Sequence, residues 1–125
     1  MRRSPWLLAA VLLIWGNAAP AQERVQFRSL DAGATVLDGY LYRAPGAGRH
    51  PAVVFLHGCG GMFSRITGLI NQIYQDWATA LTGDGYSVLM VDSFRPLGVD
   101  MTCSPATYNR AIVEDRPKDA YGALY

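Results

Sequence analysis

The stretch Pro51-Ala-Val-Val-Phe-Leu-His-Gly-Cys-Gly60, followed by Gly61, carries the strongest structural signal in the sequence. Ala52 to Leu56 is an uninterrupted apolar run rich in β-branched and aromatic residues, which predicts a strand buried on both faces of a parallel sheet. Glycine occupies three of the four positions from 58 to 61, so the backbone can turn sharply and leave its N–H groups uncovered. Such groups can bind an anion or a developing negative charge.

The glycine loop has more than one interpretation. His57, Gly58, Cys59, Gly60 and Gly61 are similar to the His-Gly-Gly-Gly-type oxyanion loops of α/β-hydrolases, with Cys59 in a glycine position. The same residues are compatible with an ordinary strand-to-helix turn that has no chemistry. A phosphate-binding loop is disfavoured, because the P-loop Lys-Ser/Thr pair and the Gly-x-Gly-x-x-Gly spacing are both missing from the sequence.

The N-terminus has the pattern of an export signal. Arg2 and Arg3 precede an apolar run from Trp6 to Trp15, and small residues follow at Ala19-Pro-Ala21. The run of ten apolar residues is shorter than the roughly 20 that cross a bilayer, which favours a cleaved signal peptide over a retained anchor. We expect residues 1–21 to be removed and residues 22–125 to lie in the periplasm or outside the cell.

The composition excludes several classes of function. The net charge is +1 and 17% of residues are charged, which gives no electrostatic preference for nucleic acid. Two cysteines are too few for a disulfide-built scaffold, and no His or Cys spacing indicates a metal site. The domain is therefore expected to be an ordinary globular unit without a bound metal.

Hydrophobic periodicity predicts an α/β fold. Arg24 to Leu30 and Thr35 to Tyr42 alternate with period two, which indicates an antiparallel hairpin. Apolar residues recur at spacings of three and four from Ile66 to Leu81, which predicts a helix with Ser64 as its N-cap and Gly83 as its C-terminal stop.

A second buried run, Tyr86 to Val91, ends in Asp92-Ser-Phe-Arg-Pro96. With the strand from Ala52 and the helix between them, it forms a βαβ unit whose strands should be parallel with a right-handed crossover. Both strand ends then lie at the carboxyl edge of the sheet, where functional loops are found. A further helix is predicted to begin near Asp115.

The two cysteines are predicted to pair. Cys59 and Cys103 lie in loops that should meet at the carboxyl edge of neighbouring strands, and export places both thiols under oxidising conditions. We therefore expect a Cys59–Cys103 disulfide.

Taken in order, the hairpin, Val53-Val-Phe-Leu-His-Gly-Cys-Gly-Gly61, Gly85-Tyr-Ser-Val-Leu-Met-Val-Asp-Ser-Phe-Arg-Pro96 and Arg116-Pro-Lys-Asp-Ala-Tyr-Gly-Ala-Leu124 resemble the first half of an α/β-hydrolase of the dienelactone hydrolase family. The resemblance covers roughly Arg24 to Tyr125. It implies a mostly parallel sheet flanked by helices, hydrolysis of a small-molecule ester or lactone, and no cofactor.

Two residues after the second strand have candidate roles. Asp92 is expected to brace its loop by hydrogen bonds, because the acid of such a triad follows the nucleophile in the chain. Arg95 could anchor a substrate carboxylate through its planar set of donors, or could be solvated or ion-paired.

The sequence departs from the family in lacking a catalytic triad. No Gly-x-Ser-x-Gly or Gly-x-Cys-x-Gly elbow is present, and neither His50 nor His57 stands where the triad histidine would be. Cys59 is a poor candidate nucleophile, since His57 occupies the position where the elbow requires glycine.

We therefore expect the N-terminal part of an exported hydrolase, truncated and inactive as given. One edge of the Ala52–Leu56 strand would be bare, so the chain alone should aggregate or be degraded. The alternative is a finished, non-catalytic binding or interaction domain.

Overall fold

The computed structural model describes residues 21–125, so the predicted signal peptide lies almost wholly outside the described residues. Within these residues the fold consists of four strands, two helices and one short 3-10 turn. In chain order they are β1 (Gln22–Arg28), β2 (Val36–Tyr42), β3 (Ala52–Leu56), α1 (Gln72–Gly83), β4 (Ser87–Asp92), the turn Arg95–Leu97, and α2 (Arg110–Gly122). None of the helices in residues 21–125 has the length and apolar character to cross a membrane.

The strands form one mixed sheet in the order β1-β2-β4-β3. β1 and β2 pair as the predicted antiparallel hairpin, and β3 and β4 pair in parallel, with Leu56 beside Val91. β2 joins the two halves by pairing antiparallel with β4, a contact that the sequence analysis does not predict. β3 is the last strand of the sheet, so within the described residues its outer edge pairs with no other strand.

Helix α1 begins later than predicted. The apolar spacing places its start near Ser64, whereas the helix starts at Gln72 after Asn71. Ser64 instead accepts hydrogen bonds from the backbone N–H groups of Ile66 and Thr67 and closes a local turn. The chain then doubles back at Gly68, whose φ of 72° no α-helix residue adopts. The prediction of a continuous helix over 66–81 is therefore wrong in its first turns.

Helix α2 begins earlier than predicted. The start near Asp115 is predicted from a pattern that carries Ala120, Tyr121 and Leu124. The helix begins instead at Arg110, because the side chain of Asn109 caps it by accepting a hydrogen bond from the N–H of Ile112. Pro117 lies inside the helix.

The two helices cover opposite faces of the sheet. Val88 and Met90 of β4 point toward α1 and are fully buried against Ala78, in a core that also includes Tyr42. Alternation along β2 directs Leu37 to the other face, where it lines a cavity together with Ile112 and other residues of α2.

The C-terminal end of α2 packs closely against β1. Gly122 approaches the backbone at the end of β1 so closely that a Cβ at this position would collide with the carbonyl oxygen of Arg28.

Candidate functional site

The loop after β3 is held by its carbonyl oxygens. The carbonyl of His57 accepts a hydrogen bond from Nη2 of Arg116. The carbonyl of Gly58 accepts from Nδ1 of His57 at 2.8 Å and from the N–H of Gly61 at 3.1 Å. The carbonyl of Cys59 accepts from the N–H of Thr102 at 2.8 Å. Three consecutive peptide groups are thus fixed to the protein through their oxygens.

Fixing the carbonyls directs two N–H groups outward. In a trans peptide the N–H points away from the C=O, and residues 21–125 contain no cis peptide bond. The N–H groups of Cys59 and Gly60 therefore point away from His57 and Thr102, and neither finds an acceptor among the described residues. Both residues are exposed. The N–H of Gly58, by contrast, is already bonded to the hydroxyl of Tyr74 at 3.1 Å.

His57 is a structural part of this loop. Its side chain is fully buried and its Nε2 accepts a hydrogen bond from the N–H of Ser93 at 3.3 Å, so Nδ1 carries the proton that is donated to Gly58. Burial lowers the pKa of His57, which keeps the ring neutral. Although Asp92 Oδ1 lies 4.0 Å from Nε2, a neutral accepting nitrogen forms no ion pair with it.

Asp92 braces the loop after β4. Its Oδ1 accepts hydrogen bonds from the N–H groups of Phe94 and Arg95, both at 3.1 Å, as the sequence analysis expects. Oδ2 is buried and has no partner within residues 21–125. Asp92 also lines a cleft of about 240 Å³, which opens at the carboxyl edge of the sheet and is bounded by Gly61 and Met62 on the other side.

Arg95 forms a wall of the same cleft. Its guanidinium lies 3.4 Å from the centre of the Phe63 ring, and its Nη2 donates to the carbonyl of Gly68 at 3.5 Å. No carboxylate in the described part of the chain pairs with it. Its charge is therefore available at the cleft, held in place by stacking.

Cys59 and Cys103 are joined by a disulfide, with their Cα atoms 5.0 Å apart. Together with the Thr102 hydrogen bond to the Cys59 carbonyl, it fixes the glycine loop to the segment after the 3-10 turn. The sulfur of Cys59 is consequently bonded and cannot act as a nucleophile in this state.

Three residues of this site are not predicted from the sequence. They are Tyr74, Thr102 and Arg116, which hold the loop by bonding its backbone. In the sequence, Tyr74 contributes only to the apolar pattern of the predicted helix. Arg116 is only one residue of a motif that carries the family resemblance, and neither pattern indicates a contact with the loop. Within residues 21–125, no group of three His, Cys, Asp or Glu residues is arranged to hold a metal ion.

Comparison with known proteins places the fold. No family model matches the sequence, and no curated protein matches it. Among solved structures, the chain is similar to the one titled "Structure of esterase Est22 with p-nitrophenol", with a TM-score of 0.53 and 20% identity. The alignment covers 86% of this chain and 29% of that one.

The described residues share the α/β fold of part of that structure. A second structure, titled "m3DLH", aligns with a TM-score of 0.44 and 20% identity over 81% of this chain and 34% of its own. This chain thus spans about a third or less of the length of both structures. At this level of identity the likeness establishes the α/β architecture, while the chemistry has to be argued from the site.

The buried histidine predicts a pH dependence of stability. Unfolded His57 takes up a proton near its ordinary pKa of about 6.5, whereas burial lowers the pKa of His57 in the folded protein. The unfolded state therefore binds more protons, and the free energy of unfolding should fall as the pH decreases below about 6.5 until it reaches the folded pKa, by at most about 1.4 kcal/mol per pH unit.

Urea unfolding between pH 7 and pH 5 measures this slope, with His57→Gln as the control. Other groups near the ring are Arg116, which lowers the pKa of His57, and Asp92 and Asp119, which raise it. Burial raises the pKa of Asp119 itself. This carboxyl therefore contributes a pH dependence of stability with the opposite sign, and it does so in both the wild type and His57→Gln. An equal slope in wild type and His57→Gln would contradict the assignment.

Proposed function

We propose that this chain is the N-terminal part of an exported hydrolase of the dienelactone hydrolase type, acting on a carboxylic ester or lactone. One observation carries the proposal. The loop after β3 fixes three successive carbonyls and leaves the N–H groups of Cys59 and Gly60 outward, at the carboxyl edge of a sheet with esterase architecture. Donors fixed in this way stabilise the oxyanion that develops when an acyl carbon is attacked.

The chemistry divides between this segment and a second one. Residues 57–61 supply part of the oxyanion hole, whose remaining donor in this fold is the N–H after the nucleophile. Nucleophile, acid and triad histidine are assigned to sequence beyond Tyr125. The 125-residue chain by itself is accordingly inactive.

Arg95 supports a preference for substrates that carry an anionic group. Its guanidinium lies in the cleft wall without a carboxylate partner among residues 21–125 and is oriented by Phe63. We assign to it the binding of a substrate carboxylate. Export to the periplasm or cell exterior rests on the N-terminal signal pattern and on the Cys59–Cys103 disulfide, which needs an oxidising compartment.

The test compares the 125-residue chain with the complete protein, by which we mean the product of the whole coding sequence. We expect the complete protein to contain a Gly-x-Ser-x-Gly or Gly-x-Cys-x-Gly elbow and to hydrolyse p-nitrophenyl acetate or dihydrocoumarin. The 125-residue chain should show no turnover above buffer. Alanine at the elbow nucleophile of the complete protein is the matched control and should abolish turnover.

Two results would contradict the proposal. The first is a complete coding sequence without an elbow, whose product is folded and hydrolyses neither substrate; this would favour the non-catalytic binding domain. The second is ester hydrolysis by the 125-residue chain itself, since it would place the nucleophile within these residues.

A further inference from the structure

We propose that Tyr74 and Arg116 are positioning residues that set the direction of the oxyanion-binding N–H groups, an inference that rests on the proposed function. Both residues bond the peptide group between His57 and Gly58. Tyr74 accepts a hydrogen bond from its N–H at 3.1 Å, and Arg116 donates one to its carbonyl oxygen. Neither side chain would touch the substrate.

The two contacts come from opposite sides of the loop. Because N–H and C=O of a trans peptide point in opposite directions, Tyr74 and Arg116 must approach this peptide from opposite sides. Tyr74 belongs to α1 and Arg116 to α2, the helices that cover the two faces of the sheet. The plane of the peptide is thereby tied to both layers of the fold.

The next peptide extends from this one through Gly58. The following peptide, between Gly58 and Cys59, carries one of the two outward N–H groups, and its oxygen is bonded by the ring of His57 and by Gly61. Glycine at position 58 has no Cβ to restrict rotation, so the first peptide must be held by its own hydrogen bonds. Loss of either bond would leave the outward direction of the Cys59 N–H to the two bonds on the Gly58 carbonyl alone.

No ion pair accounts for the partial burial of Arg116 among the described residues. The side chain is half-buried, its Nε has no hydrogen-bond partner, and no carboxylate among residues 21–125 forms an ion pair with it. Burial lowers the pKa of Arg116, yet a guanidinium stays charged in proteins. Among the described residues, the guanidinium donates a hydrogen bond to the His57 carbonyl, and its Cζ lies 5.4 Å from the centre of the Phe94 ring.

Steady-state kinetics of the complete protein test the positioning role. Deleting a direct oxyanion donor lowers kcat by about 10²- to 10³-fold, so an indirect support should cost less. We expect Tyr74→Phe to lower kcat by about tenfold and Arg116→Met by about 30-fold, with KM changed by less than about twofold. Arg116→Lys should recover part of the loss, because it restores a cationic donor.

Arg110→Met is the matched control. Arg110 lies on the same helix, is exposed, and pairs only with Glu114 on the surface. It should leave kcat and KM unchanged. Circular dichroism and thermal melting of each variant establish that it is folded, and Tyr74→Phe keeps the test available should Arg116→Met fail to fold, because it removes a single oxygen atom.

Amide hydrogen exchange tests the hydrogen bond between Gly58 and Tyr74 without any measurement of turnover. The Gly58 amide should be protected in the wild-type protein and exchange at least about tenfold faster in Tyr74→Phe, while amides in the β4 strand keep their protection. The Cys59 amide, which points outward, should be unprotected in both proteins.

The outcomes separate this inference from the proposed function. Unchanged kcat in folded Tyr74→Phe and Arg116→Met overturns the positioning role and leaves the hydrolase assignment standing. A wild-type complete protein without turnover overturns the hydrolase assignment. In that case hydrogen exchange still decides the positioning role. A Gly58 amide that exchanges rapidly in the wild type overturns this role, and one that is protected in the wild type but exchanges faster in Tyr74→Phe supports it.

Discussion

Replacing Gly61 by alanine should destabilise the complete protein by about 3 kcal/mol. Gly61 has a φ of 79°, a left-handed conformation that costs an alanine about 1–2 kcal/mol. A Cβ at this position would also lie 2.5 Å from the carbonyl oxygen of Asp100, and such overpacking costs about 1–3 kcal/mol. The backbone would have to shift at the base of the glycine loop, residues 57–61, so the proposed turnover should fall as well.

Gly68→Ala is the control for this prediction. Gly68 has nearly the same φ, 72°, but no atom lies within 4 Å of where its Cβ would be. We expect a loss of only about 1–2 kcal/mol, from the backbone conformation alone. Urea unfolding measures both values. Equal losses in the two variants would show that Gly61 does not make the close contact with the segment around Asp100.

Removing the disulfide should have an effect of similar or larger size. The Cys59–Cys103 bond closes a sequence separation of 44 residues, and the chain-entropy model gives a stabilisation of about 4 kcal/mol for a loop of this length. We expect Cys59→Ser/Cys103→Ser to lower the free energy of unfolding by roughly that amount. The glycine loop would also lose its covalent attachment to the segment after the 3-10 turn.

Reduction of the wild-type protein provides the comparison. Dithiothreitol should shift the wild-type unfolding curve toward that of the double variant and should leave the variant itself unchanged. Protein purified from the periplasm should contain no titratable thiol until it is reduced. Two free thiols in the folded, unreduced protein would contradict the pairing.

The strands, and the pairing within each half of the sheet, could be predicted because their signals are local. The continuous apolar runs that become β3 and β4 are bounded by clear turn residues, and the period-two segments that become β1 and β2 are joined by a short turn. Parallel pairing of β3 with β4 then places the loops that contain Cys59 and Asp92 at one edge. This rule of topology needs no side-chain detail.

The helix boundaries could not be predicted in the same way. The apolar spacing of three and four continues through Ile66 and Leu69, but these two side chains are 96% and 67% exposed and do not belong to the helix. A single backbone reversal at Gly68 interrupts the helix. Glycine adopts positive and negative φ about equally readily, so the sequence does not predict this reversal. For α2, the helix begins at Arg110, five residues before the predicted start near Asp115, because Asn109 caps it.

The residues that hold the candidate site are hidden for a different reason. Tyr74 and Arg116 bond backbone groups that lie 16 and 59 residues away in the sequence. A backbone donor or acceptor has no side-chain identity, so no motif at the loop identifies its partners. The sequence shows which loop can bind an anion, and the tertiary structure is needed to show which side chains orient it.

The most direct measurement is a structure of the complete protein inactivated by a p-nitrophenyl alkylphosphonate. Such a reagent leaves a tetrahedral phosphoryl group on the nucleophile, with one oxygen in the position of the oxyanion. We predict that this oxygen lies about 2.7–3.1 Å from the backbone nitrogen of Cys59 or Gly60. An oxygen held entirely by other donors, with both N–H groups facing bulk water, would contradict it.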